Sequence, residues 1–255
     1  SGHLGGANAL TSLAAQILGA TEVLTTASES TGTPALDLLA HASGLAIGNP
    51  EALARLQGAW LQGQRLELWD PEGWLELPEN ARALVSPANT PENAIIHVGP
   101  ETTGACGIRL HPPCLAIGVG CRRGVPGSVI LAAITATLST HGLSPAAAAL
   151  VCSIDAKSQE PGLHEAACRL GVPLRCFAAQ VLSAQPAPHP SARVHQHMGV
   201  FSVCEAAALA SHPRAILRIP KTIHGPVTVA VAQLPCGWWD SAPETQASCP
   251  PLPET

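Results

Sequence analysis

The segment SIDAKSQEPGL, residues 153–163, gathers the side chains best suited to chemistry. Asp155, Lys157 and Glu160 follow an apolar run directly, so carboxylate and ammonium groups stand at one turn. The chain has only two lysines, and in a protein that otherwise uses arginine an ammonium group suggests point-charge or proton-transfer work. Lys157 and Glu160 are three residues apart and would meet if the turn enters a helix. A solvated turn at a helix start is the competing interpretation.

A second turn, GVGCRRG at residues 118–124, follows an apolar run and precedes a helical pattern. It matches the dinucleotide-binding GxGxxG motif poorly, because the third glycine is displaced and no acidic residue follows about 20 positions on. Ligands of open α/β sheets nevertheless bind in such turns, beyond the carboxyl ends of the strands. Arg122 and Arg123 can grip carboxylates or phosphates with paired hydrogen bonds.

The opening SGHLGGANAL places small and polar residues before a helical pattern. Glycines at a helix N-terminus let amides point at an anion, and the helix dipole favours negative charge there. His3, Gly5, Gly6 and Asn8 are therefore candidate binding residues. An ordinary glycine-rich turn with an asparagine cap explains the same residues.

Glu205 stands in GVFSVCEAAAL, an otherwise apolar helical pattern at residues 199–209. A buried glutamate would be costly without a partner and would have a raised pKa, whereas one on the exposed stripe of the helix would be ordinary. Both possibilities remain open. Lys221, the second lysine, lies between two late strand patterns and is a candidate for binding an anion.

Histidine and cysteine patterns do not predict a metal site. His189, His195 and His197 form a small set without a defined third ligand. The nine cysteines are odd in number and include no CxxC pair. They predict reduced, mostly buried thiols and a cytoplasmic protein.

The charge is distributed unevenly along the chain. Residues 1–101 carry eleven carboxylates and three arginines, whereas residues 102–239 carry four carboxylates and ten basic residues. No acidic residue lies between Glu101 and Asp155. A segment of buried strands would explain this, and so would a pocket for an anionic ligand. The basic residues are too thinly spread for a nucleic-acid surface.

Composition excludes several classes of protein. Hydrophobic residues make up 46% and charged residues 12%, which argues against a disordered chain. Aromatic residues amount to 3%, which argues against stacking platforms for single-stranded nucleic acid. No apolar run reaches the roughly 18 residues that cross a membrane.

Strand and helix patterns alternate through the second half of the chain. Apolar runs at 114–119, 150–154 and 174–177 read as strands, and the patterns at 125–138, 162–170 and 201–209 read as helices. The alternation predicts a layered α/β domain with a largely parallel sheet, preceded by a smaller α/β middle domain. The turns at 118–124 and 153–162 should then share one sheet edge. The predicted divisions are residues 1–30, 31–110, 111–236 and a linker or disordered tail at 237–255.

Several strings together resemble the cobalamin biosynthesis protein CbiG family. These are SGHLGGANALTSLAAQILGATEVLTTASES, LAIGVGCRRG, CSIDAKSQEPGL, GVFSVCEAAAL, and Lys221 with VTVAVA. They occur in family order, and the second half also resembles the CobE-type protein. The first string looks like the end of the family's N-terminal domain, so we expect further sequence before Ser1. The tail has no counterpart and suggests a link to a fused enzyme such as a methyltransferase.

The resemblance implies cobalt-precorrin-5A hydrolase activity, in which a δ-lactone is opened and acetaldehyde is released to give cobalt-precorrin-5B. The substrate is an anionic corrinoid that carries its own cobalt, so no protein cofactor or metal site is expected. Asp155, Glu160 or Glu205 would then act as base. Lys157 and amides near Gly120 or Gly5 and Gly6 would hold the oxyanion. A non-catalytic corrinoid carrier is the alternative, and neighbouring pathway enzymes are possible partners.

Overall fold

The computed structural model describes residues 7–19, 34–102, 107–186 and 202–238. Two compact units divide the chain, unit 1 at Ser1–Pro112 and unit 2 at Pro113–Thr255. Each unit contains one five-stranded sheet with helices. The α/β class is therefore confirmed, while the division into four segments stays a prediction.

Unit 1 is built on short strands in the order β1-β5-β4-β2-β3. Strand β1 is antiparallel to β5, and the other three pairings are parallel. Buried apolar side chains from the strands and the preceding helices form its core. Its elements are α1 (Ala7–Leu18), α2 (Leu36–Ala42), β1 (Ala46–Ile47), α3 (Leu53–Leu61), β2 (Leu66–Trp69), α4 (Glu79–Arg82), β3 (Val85–Pro87), β4 (Ile96–Val98) and β5 (Ile108–His111).

Unit 2 is built on longer strands in the order β8-β7-β6-β10-β9. Strands β6, β7 and β8 are parallel, and all seven residues of β7 are buried. Its elements are β6 (Leu115–Cys121), α5 (Gly127–Thr140), β7 (Ala148–Ile154), α6 (Pro161–Leu170), β8 (Leu174–Phe177), α7 (Ala179–Ser183), α8 (Val203–Ala210), β9 (Ile216–His224) and β10 (Val227–Gln233).

The parallel part of the second sheet stops at β6, because β10 is antiparallel to both β6 and β9. Only Gly225 and Pro226 connect β9 to β10, and a two-residue hairpin forces antiparallel pairing. Gly225 has φ +59°, the left-handed region that such hairpin turns require. The sheet is thus parallel on the side that carries the two polar turns.

Helix α8 packs against β6 at unusually close range. A Cβ atom on Gly118 would collide with the carbonyl oxygen of Cys204, so glycine is required at this point of the strand. Ala206, Ala207 and Ala208 have no exposed surface, which shows that the helix is covered on several sides. Their short side chains allow the close approach.

In the described ranges of the chain, no helix is both long and apolar enough to cross a bilayer.

Candidate functional site

The carboxyl ends of β6 and β7 bring the two predicted polar turns together. The strands are parallel, with Gly118 opposite Cys152, so both chains leave the sheet at the same edge. The backbone N–H of Gly124 donates a 2.5 Å hydrogen bond to Oε1 of Glu160, across 36 positions of sequence. The expectation that both turns share one sheet edge is confirmed.

Lys157 and Glu160 form an ion pair at this edge. The Nζ atom of Lys157 lies 3.0 Å from Oε2 of Glu160, and their side chains are only 10% and 7% exposed. Residues 155–157 form a 3₁₀ turn, and Glu160 directly precedes α6, whose first residue is Pro161. The proximity expected from the three-residue spacing is therefore observed.

The surroundings of Glu160 favour its charged form. The Gly124 N–H and then the Lys157 ammonium hold the pKa of Glu160 below its usual range, with a smaller contribution from Arg123. Each carboxylate oxygen already accepts a hydrogen bond. A carboxylate satisfied in this way is a weak base, and its geometry suits it to position Lys157 and the 118–124 turn.

Asp155 differs from Glu160 in its surroundings. It begins the 3₁₀ turn directly after β7 and is exposed to solvent. Of the two acidic residues in the turn, it is the one that bulk water can reach. The position suits a group that activates water.

Arg122 and Arg123 both lie exposed in the turn after β6. The Arg122 N–H donates to the carbonyl of Pro226 at 3.0 Å, which ties the turn to the β9–β10 hairpin. Among the described residues, no carboxylate forms an ion pair with either guanidinium group. Both groups can therefore bind an incoming anion.

Cys121 ends β6 beside the ion pair, and sequence reasoning did not select it. Burial raises the pKa of its thiol, an effect that Lys157 partly opposes, so the thiol stays protonated at neutral pH. A protonated thiol is a poor nucleophile. The sequence feature that could have pointed to Cys121 as a site residue is its position in the GVGCRRG turn.

Gly120 belongs to the sheet rather than to the free turn. It pairs with Thr228 of β10, and its carbonyl accepts the Thr228 hydroxyl at 3.3 Å. A Cβ atom here would lie 2.6 Å from that hydroxyl, so glycine keeps the two strands close. The amide that reaches the edge is that of Gly124, which already binds Glu160.

Glu205 has no exposed surface, so it is the buried residue of the two possibilities. Its Oε1 accepts a 2.9 Å hydrogen bond from the backbone N–H of Lys221 in β9. Glu205 and Lys221 are thus brought together through the Lys221 backbone. Full burial keeps Glu205 away from bulk water, so Asp155 fits the role of base better.

The remaining predicted residues are mostly outside the described parts of the chain. His3, Gly5, Gly6 and the histidines at 189, 195 and 197 are among them. Asn8 lies in the first turn of α1. In the described ranges, no three His, Cys, Asp or Glu side chains are grouped to hold a metal ion, and the seven cysteines there are free thiols.

Comparison with known proteins identifies the family. Residues 115–232 match the family model "Cobalamin synthesis G C-terminus", and residues 1–29 match "Cobalamin synthesis G N-terminal". A cobalt-precorrin-5A hydrolase of Priestia megaterium is 29% identical over 252 residues, covering 92% of this chain and 67% of the relative. The chain thus spans about two thirds of that hydrolase's length.

Two further relatives match a shorter stretch. Protein CobE of a Sinorhizobium species is 33% identical over 121 residues, covering 46% of this chain and 79% of CobE. A crystal structure of CobE, a protein from the cobalamin biosynthetic pathway, shares 37% identity and covers 48% of this chain and 92% of that one, with a TM-score of 0.45. The resemblance found in the sequence is confirmed: the chain belongs to the cobalamin synthesis G family.

Proposed function

We propose that this chain hydrolyses the lactone of cobalt-precorrin-5A and releases acetaldehyde to give cobalt-precorrin-5B. The observation that carries the proposal is the match to a named hydrolase over 92% of the chain, through both units. The ion pair and exposed polar groups at the edge of the second sheet supply a site with suitable chemistry.

The first step of the proposed reaction is addition of water to the lactone carbonyl. Asp155 takes a proton from the water, and the Lys157 ammonium stabilises the oxyanion that forms. The acyl carbon–oxygen bond then breaks, and the departing alkoxide takes up the proton that Asp155 had accepted. The products are a free hydroxyl on the two-carbon unit and a carboxylic acid, which loses its proton to water and becomes a carboxylate. Glu160 acts as a positioning residue, because its two oxygens hold Lys157 and Gly124 in place.

The substrate fits the charge of this edge. A corrinoid precursor carries several carboxylates, and Arg122 and Arg123 are exposed cations beside the ion pair. The cobalt arrives with the substrate. Lactone hydrolysis itself requires water and proton transfer, so we propose that the protein needs no cofactor of its own. Neighbouring pathway enzymes remain predicted partners.

A corrinoid carrier is less well supported. The CobE relative covers 46% of the chain, whereas the hydrolase relative covers 92%. The hydrolase proposal also gives a role to the buried ammonium group of Lys157 and to the exposed carboxylate of Asp155.

The test is incubation of the purified chain with cobalt-precorrin-5A. We expect acetaldehyde release above a control without protein, together with a change in the corrinoid spectrum. A chain that binds the corrinoid but leaves the lactone closed and releases no acetaldehyde would contradict the proposal in favour of a carrier.

A further inference from the structure

Unit 1 has its own cluster of titratable groups at the carboxyl edge of its sheet. His97 lies in β4 and His111 ends β5, and each is only 2% exposed. The two strands are parallel neighbours, with His97 opposite Arg109. This edge corresponds to the one where open α/β sheets bind ligands.

His111 is fixed by its surroundings. Its Nδ1 lies 2.8 Å from the carbonyl oxygen of Gly99. Because a carbonyl only accepts, Nδ1 carries the proton and Nε2 keeps a lone pair. A Cβ atom on Gly48 would approach Nε2 to 2.5 Å, so glycine makes room for the ring. His111 is thus held in one orientation and one tautomer.

His97 is buried in a different way. Among the described residues, no group forms a hydrogen bond with its Nδ1. A buried polar nitrogen without a partner is uncommon and is costly unless something fills the position. It therefore marks a place where a hydroxyl or carboxyl group of a ligand can bind.

Glu101 lies beside the His97 ring. A Cβ atom placed on Gly99 would be 3.2 Å from Cε1 of His97 and 2.6 Å from Oε2 of Glu101. The ring and the carboxylate thus both lie against Gly99, which leaves no room for a side chain at this position. A carboxylate beside an imidazole stabilises the imidazolium that forms when the ring accepts a proton.

The imidazole of His97 is neutral near pH 7. Burial lowers its pKa, Glu101 opposes that effect, and Arg109 and Glu92 act more weakly in opposite directions. Burial also lowers the pKa of His111. A neutral imidazole can accept a proton, which the Glu160 carboxylate in unit 2 does poorly.

The two kinds of relative match different lengths of this chain. The CobE match covers 46% of the chain, which is shorter than unit 2. The hydrolase match covers 92% of the chain, so it includes most of unit 1. The match to the named hydrolase therefore extends through unit 1, so a catalytic group in unit 1 would lie in the part that this hydrolase shares. The lactone-opening groups already lie in unit 2.

We propose that His97, supported by Glu101, is a second proton-transfer site and catalyses the carbon–carbon cleavage that releases acetaldehyde. This inference rests on the proposed function. Its substrate is the lactone-opened corrinoid, which carries a hydroxyl on the two-carbon unit.

The step balances without an added oxidant or reductant. The neutral His97 imidazole accepts the hydroxyl proton, and the oxygen forms a carbonyl as the bond to the macrocycle breaks. The electron pair of that bond stays on the macrocycle carbon. The imidazolium returns its proton to that carbon, and acetaldehyde leaves.

The test follows lactone opening and acetaldehyde release separately in the His97→Gln variant of the full chain. Mass spectrometry detects the opened lactone as a gain of one water, and acetaldehyde is assayed directly. We expect normal opening, accumulation of the hydroxylated corrinoid, and acetaldehyde release slowed by about 100-fold or more. His41→Gln, at an exposed histidine of α2, is the matched control and should behave as wild type.

Equal acetaldehyde release by the His97→Gln and His41→Gln variants would overturn the inference. So would loss of both steps in a folded His97→Gln variant that still binds the corrinoid, because that result indicates a single site. If the wild type binds the corrinoid but leaves the lactone closed, the proposed function itself fails.

Glu101→Gln gives a second test that does not depend on the folding of the His97→Gln variant. Acetaldehyde release should fall as pH drops through the pKa of His97. Glu101 raises that pKa. Its neutralisation should therefore move the acidic limb of the pH profile to lower pH. If the acidic limb of the pH profile stays at the same pH in the Glu101→Gln variant, the proposed role of the His97–Glu101 pair is overturned.

Discussion

The two units place titratable groups at equivalent sheet edges but in opposite states. In unit 2, Lys157 and Glu160 are charged and paired at 3.0 Å. In unit 1, burial keeps His97 and His111 neutral, and one ring nitrogen of His97 has no partner among the described residues. A fixed ion pair suits stabilisation of a developing charge, whereas a neutral imidazole suits movement of a proton.

The edges also differ in how they are supported. Strands β6 and β7 have seven residues each, whereas β4 has three and β1 has two. Longer buried strands hold their turns more firmly, since local opening costs more where more buried contacts must be broken. The charged edge thus rests on the stronger framework.

The largest effect is expected at the arginine turn of unit 2. Arg122→Ala combined with Arg123→Ala should weaken corrinoid binding by about 1–3 kcal/mol for each charge-assisted bond lost. Titration of the corrinoid at low salt measures this. Arg169→Ala, which removes an exposed partner of Glu165 on α6, is the control. Unchanged affinity in the double variant would show that the turn does not bind the substrate.

A smaller effect, on stability, is expected at Gly118. Gly118→Ala forces a Cβ atom into the backbone of α8 and should destabilise unit 2 by about 1–3 kcal/mol. Gly58→Ala is the control, because its Cβ would meet nothing within 4 Å in helix α3 of unit 1. Denaturant unfolding compares the two variants. Equal stability would show that α8 does not depend on close contact with β6.

Mild acid should distinguish the units by stability. Burial lowers the pKa of His97 and His111 in unit 1, so the unfolded chain binds protons first and stability falls as pH drops below about 6.5. Among the described residues of unit 2, His212 is the one such group. Limited proteolysis between pH 7 and pH 5.5 should therefore cut unit 1 first. The His212→Gln variant, which lacks this histidine of unit 2, is the control. Earlier cutting of unit 2 than of unit 1 would contradict the expected difference in acid stability.

The smallest effect is expected from Glu160 in stronger acid. Its folded-state pKa is lowered, so its stabilising effect is present above the unfolded value of about 4.5 and is lost as pH falls through the folded value. The melting temperatures of wild type and Glu160→Gln should differ at pH 7, and the difference should shrink as the pH falls below 4.5 through the lowered folded-state pKa. A difference that does not shrink as the pH falls would mean that the charge of Glu160 is not what holds the turn.

Local patterns were enough to predict the edge of the second sheet. Apolar runs that alternate with helical patterns predicted β6, β7 and β8. The run at 174–177 coincides with β8. Parallel strands with helical crossovers leave the sheet at one edge, so the convergence of the two turns followed from topology. The antiparallel hairpin was not recognised, although Gly225 and Pro226 were its signal.

Features that depend on distant packing were not predictable. The unit 1 cluster requires Gly48 and Gly99 to make room beside rings on two short strands, and no local pattern marks such a space. Strand β5 itself was missed, because Arg109 interrupts a run of four residues. Glu205 is buried because the alanines of α8 let other elements cover the helix on several sides. Hydropathy alone does not show this covering.

The central claim is that the Lys157 ammonium acts in lactone opening rather than only shaping its turn. Lys157→Met in the complete protein tests it, with lactone opening and melting temperature measured on the same sample. Loss of an oxyanion donor should slow opening by roughly 100- to 1000-fold while the fold persists. Normal opening, whatever the melting temperature, would contradict the account and leave the Lys157–Glu160 pair a structural ion pair.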